Sequence, residues 1–237
     1  MSAPPLLDVR QLSKRFGGVV ATDRIDLQVR AGEVHALIGP NGAGKTSLVS
    51  QLGGQLAPDA GHIVLAGEDI TRLSAHQRAR RGLARSFQIT RLFRSFTVLE
   101  HLALALQAAD GSSLRAWRAV AAERELFERA RALLPTLGLE DQADAATDRL
   151  SHGQRRALEV GMAVATRPRL VLLDEPMAGM GPDESLRMEQ MIQRLREQTT
   201  LLLIEHDVDA VFRLADRVSV LVSGQIIASG TPDVVRR

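Results

Sequence analysis

Residues 39 to 46 read Gly39-Pro40-Asn41-Gly42-Ala43-Gly44-Lys45-Thr46, the pattern G-x-x-x-x-G-K-[ST], set between an apolar segment and a helical one. No other feature of the chain restricts its fold so tightly. Val34, Ala36 and Ile38 lead in as a strand, and Leu48, Val49 and Leu52 follow at helical spacing, so the glycines fall in a tight strand-to-helix turn. Such a turn aims main-chain N–H groups and a helix N-terminus at one point, which suits phosphate. Lys45 is spaced to reach the β- and γ-phosphates of a nucleoside triphosphate, and the Thr46 hydroxyl to bind Mg²⁺. A glycine-rich turn without ligand is the bland alternative, and both flanks count against it.

Composition narrows what else the chain does. Its 237 residues, 45% apolar and 24% charged, suffice for one large domain or a domain with a subdomain. The pI near 9.8 suggests a nucleic-acid binder, but the formal charge is only +2. With no Tyr, no Cys, and Lys only at 14 and 45, little loses its charge between the histidine and arginine ranges, so a slight positive excess persists to high pH. Nucleic acid is therefore not an expected partner. The lack of Cys excludes disulfides and thiolate metal sites. Met1 to Pro5 carries no export signal, and the apolar runs Leu201 to Ile204 and Val218 to Val222 are strand-sized. A membrane role would have to pass through a partner.

The pattern along the chain indicates an α/β fold. Leu6 to Val9, Ile25 to Val29 and Ile63 to Leu65 read as strands of a β-rich opening, and Ser74 as the cap of an Arg-rich helix through Arg81. The basic run from Gln77 to Arg81, followed by Arg85, reads as a solvated helix face, with phosphate-backbone contacts as the alternative. From Val98 to about Leu137 the spacing becomes helical, broken at Gly111-Ser112-Ser113. This predicts a helical subdomain over about 96–154, inserted into a core formed by about 1–95 and 155–237. Beyond Gly153 a helix runs to about Thr166, and strands then alternate with helices, which indicates a parallel sheet. Val218 to Val222 and Ile226 to Ala228 flank Ser223-Gly224 as a hairpin, with no regulatory domain expected after it.

Leu170-Val171-Leu172-Leu173-Asp174-Glu175 is a buried-type strand ending in two carboxylates at the sheet's carboxyl edge. Asp174 suits Mg²⁺, and Glu175, across the pleat, suits polarising a water. An acid pair capping a helix is the alternative. Leu150-Ser151-His152-Gly153-Gln154 stands before an amphipathic helix, where Ser151 reads equally as an ordinary N-cap.

With these motifs in this order, the chain resembles an ATP-binding-cassette (ABC) ATPase over essentially its full length. The resemblance implies a P-loop NTPase fold with a mixed central sheet, an N-terminal antiparallel β subdomain and an inserted α-helical subdomain. It assigns Walker A to Gly39 through Thr46, with Ser47 adjoining, the Q-loop to Gln88, the signature to Leu150 through Gln154, and Walker B to the strand ending at Asp174. It further implies that Phe16 stacks on adenine, that Glu175 and His206 are catalytic, and that Thr46, Gln88 and Asp174 serve Mg²⁺. ATP would sit between two head-to-tail subunits, Walker A of one facing Ser151, Gly153 and Gln154 of the other. His152 stands where the commoner signature has glycine, and Gly181 where many relatives carry Asp.

The run Ala84-Arg85-Ser86-Phe87-Gln88-Ile89-Thr90-Arg91-Leu92-Phe93, with Phe96-Thr97-Val98-Leu99-Glu100 and Glu175 through Pro182, is similar to ATP-binding subunits of branched-chain amino acid importers. That implies membrane permease subunits as partners, a second ATP-binding subunit, indirectly a periplasmic binding protein, and a peripheral place on the cytoplasmic face of the inner membrane. Leu92, Phe93 and Phe96 are candidates to receive a membrane-subunit helix, with internal packing as the alternative. Cassettes for urea or amides, lipopolysaccharide-type exporters and soluble ABC machines acting on nucleic acid are the other readings.

Overall fold

The structure, a computed structural model, describes residues 4–86, 92–109 and 120–236, with only the backbone of 120–123. Contacts divide it into two units. The first comprises Met1–Arg85, Arg169–Glu175 and Arg196–Arg237. It opens with the antiparallel pair β1 (Leu7–Phe16) and β2 (Val19–Val29), in which Leu7, Val9 and Leu12 face Val29, Leu27 and Ile25. All six are buried, as expected of a sheet with one covered face. After β3 (Val34–Ile38) and α1 (Lys45–Leu52), β4 (Ala60–Leu65) and β5 (Glu68–Asp69) complete a four-stranded sheet in the order β2-β1-β4-β5.

A second sheet holds β10 (Gln225–Gly230), β9 (Arg217–Val222), β3, β8 (Thr200–Ile204), β7 (Leu170–Asp174) and β6 (Leu83–Arg85), in that order. It is mixed: β10 runs antiparallel to β9 through the Ser223-Gly224 turn, and the other pairings are parallel. Every residue of β3, β7 and β8 is buried, which is why these strands read as unbroken apolar runs. Leu48, Val49 and Leu52 of α1 join the core of this unit, with Leu7, Ile63, Leu172, Leu202 and Leu221. His35, fully buried on β3, is satisfied at both ring nitrogens, Nδ1 lying 3.1 Å from Glu33 Oε1 and Nε2 2.9 Å from Ser219 Oγ.

Within the basic run Gln77, Ala79 and Arg80 are exposed, as a solvated helix face requires, and Arg78 is the exception. Ser74 caps α2 (Ala75–Ala79) with a reciprocal Ser74–Gln77 box, as expected, but Arg78 is neither solvated nor available to a phosphate. It is 1% exposed and donates to the main-chain oxygens of Gln51 (2.6 Å), Leu52 (2.7 Å), Thr71 (2.8 Å) and Leu73 (3.0 Å). Gln51 and Leu52 end α1, where carbonyls lack partners within the helix, so a buried guanidinium closes that end. Burial draws Arg78 down to about 10, still charged at neutral pH.

The second unit, Ser86–Pro168 with Pro176–Leu195, is helical: α3 (Val98–Ala109), α4 (Val120–Arg131), α5 (Leu134–Leu137), α6 (His152–Ala165) and α7 (Pro182–Leu195). It is larger than the span of about 96–154 read from the sequence, because α6 packs on α3, α5 and α7. On α7, Met188, Met191, Ile192 and Leu195 are buried at helical spacing, each worth about 1.5–3 kcal/mol of transfer free energy. The expected break at Gly111 lies outside the described residues. The remaining helices, α8 (Val208–Leu214) and α9 (Pro232–Val235), belong to the first unit.

Candidate functional site

Strand register brings together the candidate residues of the first unit. Leu37 on β3 stands opposite Ile204 on β8, and Ile204 opposite Asp174 on β7, so the three strands end level. Adjacent strands lie about 4.8 Å apart, and the residues that follow, Gly39, His206 and Glu175, therefore emerge along one sheet edge.

Between β3 and α1 the glycine loop meets a steric demand at Gly44, whose φ is +106° and where a Cβ would lie 2.1 Å from the Ala21 oxygen. Only glycine fits. Gly44 is also the N-cap of α1 and offers no side chain to its first turn, which leaves those N–H groups for an anion. Lys45 is buried and folds back along the loop, donating to the oxygens of Gly39 (2.6 Å) and Pro40 (3.1 Å). Pro40, Asn41, Gly42 and Thr46 are exposed, Gly39 and Ser47 half-buried. Ala43 turns its methyl into the core, so only its main chain is available to a ligand.

Asp174 is 2% exposed and accepts from Arg85 Nη2 at 2.7 Å. Sequence reading assigns Arg85 no chemical role, although it follows the basic run and stands in the stretch 84–93; its place at the end of a strand beside one that ends in an acid is the signal. Glu175 departs from expectation in geometry. β7 stops at Asp174, and Glu175 takes a left-handed φ of +48°, so its direction is set by a strained turn and not by pleat alternation. That conformation costs on the order of 1 kcal/mol and is held by the Glu175 N–H donating to the Ile204 oxygen at 2.9 Å. His206 follows β8 and is exposed, its Nδ1 3.7 Å from the carboxylate of Glu205. Glu205 is 1% exposed and accepts the His206 N–H at 3.1 Å, which ties down the residue that presents the imidazole. Phe16 ends β1 with its ring half in water, under the Lys14 ammonium at 5.7 Å, which removes the alternative of a core aromatic.

The remaining candidate residues lie on the helical unit. Ser151 caps α6 in a reciprocal box with Gln154: Ser151 N–H donates to Gln154 Oε1 (2.9 Å), and Gln154 N–H to Ser151 Oγ (3.3 Å). His152 Nε2 donates to the Ala178 oxygen at 3.3 Å, giving this departure from the common signature a contact of its own. A Cβ at Gly181 would meet nothing, so sterics do not explain glycine there. Phe93 and Phe96 pack ring on ring at 5.1 Å and stay 54% and 38% exposed, against the internal-packing alternative. Beneath them His101 is buried, its Nδ1 donating to the Thr97 oxygen (2.9 Å) and its Nε2 accepting the Phe93 N–H (3.0 Å). Leu92 is half-buried, and Gln88 lies outside the described residues.

Residues 22–178, which span the glycine loop, the signature and the paired carboxylates, match the family described as ABC transporter. The chain belongs to the ABC transporter family. Over 98% of its length this ABC protein is 39% identical to the high-affinity branched-chain amino acid transport ATP-binding protein LivG of Salmonella typhimurium, covering 94% of that protein. It is 38% identical, with the same coverage, to BraF of Pseudomonas aeruginosa, which carries the same description. Among solved structures it resembles the ADP conformation of MJ1267, an ATP-binding cassette of an ABC transporter, with a TM-score of 0.85 and 31% identity over 97% of this chain and 92% of that one. It is an ABC ATPase that binds nucleotide. Among the described residues no helix is long and apolar enough to cross a membrane.

Proposed function

We propose that this chain is the ATP-hydrolysing subunit of an importer of branched-chain amino acids, working at the cytoplasmic face of the inner membrane with permease subunits and a periplasmic binding protein. The observation that carries the reading is the identity to LivG and BraF along nearly the whole of each chain. Phe93 and Phe96 offer the apolar surface that a helix of the membrane subunit would cover.

In this reading two subunits close on ATP head to tail. Phe16 stacks on the base, Gly39 through Ser47 wrap the phosphates with the first turn of α1, and Lys45 leaves its loop carbonyls for the β- and γ-phosphates. Thr46 and Asp174 suit a divalent ion, joined by Gln88; the described residues gather no cluster of three or more His, Asp or Glu, and Mg²⁺ takes few protein ligands beside phosphate oxygens. Bound there, the ion neutralises charge on the phosphates. Glu175 takes the proton of the attacking water, His206 keeps the geometry in line, and Ser151, Gly153 and Gln154 of the opposite subunit grip the γ-phosphate. Cleavage removes what both subunits hold, and the pair opens.

The test is Glu175→Gln in the assembled transporter. Turnover should fall by roughly 10²–10⁴-fold while ATP binding persists and the closed pair accumulates. ATP hydrolysis near the wild-type rate would remove Glu175 from its role. ATP-dependent uptake of leucine, isoleucine or valine into vesicles checks the substrate class.

A further inference from the structure

The capping box at the start of α6 uses the Ser151 N–H and the Gln154 N–H internally. Two donors of the same turn, the Ser151 hydroxyl and the Gly153 N–H, are spent on something else. Both converge on one oxygen of Glu184, in the first turn of α7, at 2.7 Å and 3.1 Å. Gly153 is what makes room: a Cβ there would stand 3.0 Å from that oxygen and 3.1 Å from the carboxyl carbon. The Ser151 hydroxyl, followed by the Gly153 N–H, holds the Glu184 carboxyl below its usual range, so it is ionised at neutral pH.

A carboxylate oxygen that accepts from a hydroxyl and a main-chain N–H at a helix N-terminus makes the contacts that a phosphate oxygen would make there. We propose that Glu184 is a built-in competitor for the γ-phosphate: in the unpaired subunit it sits on the donors that pairing hands to the partner's nucleotide, and ATP-driven closure must expel it. This rests on the reading that Ser151 and Gly153 face a triphosphate. Two anions cannot share donors at hydrogen-bond distance without strong repulsion, so occupation by one excludes the other. The expelled side chain has somewhere to go. Arg187, one turn along α7, already lowers the Glu184 carboxyl through its charge, as His152 does from α6, and an i,i+3 pair is within reach. Glu184 thus sets the ATP concentration at which subunits close.

The test uses the Glu175→Gln protein, in which the closed pair persists, and follows its mass in solution against MgATP. Adding Glu184→Ala should lower the ATP concentration for half-maximal pairing by roughly tenfold, the worth of one charge-assisted hydrogen bond. Glu184→Gln, which fills the same volume and keeps an acceptor without the charge, should lower it by less and tests the idea even if the alanine variant folds poorly. An unchanged or raised midpoint in the glutamine variant, with an unchanged melting temperature, overturns the proposal and leaves Glu184 as a brace between helices. Failure of the Glu175→Gln parent to pair at saturating ATP overturns the shared-site reading itself, and the competitor with it.

Discussion

Arg85 donates to Asp174 across 2.7 Å, and both side chains are largely closed to water. The arginine ends β6 opposite Leu172 of the adjacent strand, two residues short of the aspartate that ends β7, and its side chain spans the difference. The carboxylate proposed to serve Mg²⁺ therefore already has a cation beside it. Arg85→Ala is expected to cost about 3 kcal/mol of unfolding free energy in nucleotide-free protein, because it leaves a buried charge without its arginine. Urea unfolding measures the loss. Saturating MgATP should narrow it, since the metal then supplies the missing positive charge; a deficit that stays the same with MgATP would separate Arg85 from the metal site.

Lys45 is held against the oxygens of Gly39 and Pro40, a position from which it can turn to a phosphate without rebuilding the loop. Lys45→Ala should weaken ATP binding by roughly tenfold to a hundredfold through loss of a phosphate-paired charge. Calorimetry gives the affinity directly, and an unchanged value contradicts the assignment.

Arg78 should behave as a structural residue although it lies in a basic run. Arg78→Ala removes a charged donor from four main-chain oxygens inside the fold and is expected to destabilise the protein by about 3–5 kcal/mol. Arg80→Ala, two residues on and exposed, should be within about 0.5 kcal/mol of the parent. Comparison of the two melting curves checks this.

Acid stability carries a signature of Asp69. The Thr71 hydroxyl and N–H, with His62 beyond them, hold its carboxyl down to about 2. A carboxyl lowered on folding stabilises the protein above its unfolded pKa, near 4, and that contribution fades as pH falls toward 2. Asp69→Asn should therefore flatten the stability profile between about pH 4 and pH 2 and leave its shape above pH 5 unchanged. Unfolding curves taken at steps through that range decide it.

Much of the fold was legible because its signals are local. The glycine loop, the buried runs of β3, β7 and β8, the Ser74 and Ser151 caps and the hairpin at Ser223-Gly224 each depend on neighbours within a few positions. The extent of the helical unit was not, since a periodic apolar stripe on α6 or α7 says that a face is buried and not against what. The direction of Glu175 was misread for a related reason. Pleat alternation is a rule for strands, and β7 ends at Asp174, with Glu175 in a left-handed turn just before Pro176.

The order of residues alone determined that a strand, a phosphate loop and a helix follow one another, and which side chains could carry the chemistry, because spacing along the chain fixes both. Only the tertiary structure decided which charges meet: Arg85 with Asp174, Arg78 with the end of α1, Glu184 with Ser151 and Gly153. Those partners lie 26 to 89 positions apart in the chain. Electrostatic and hydrogen-bond energies depend on separation in space, and for groups so far apart in sequence that separation exists only once the chain has folded.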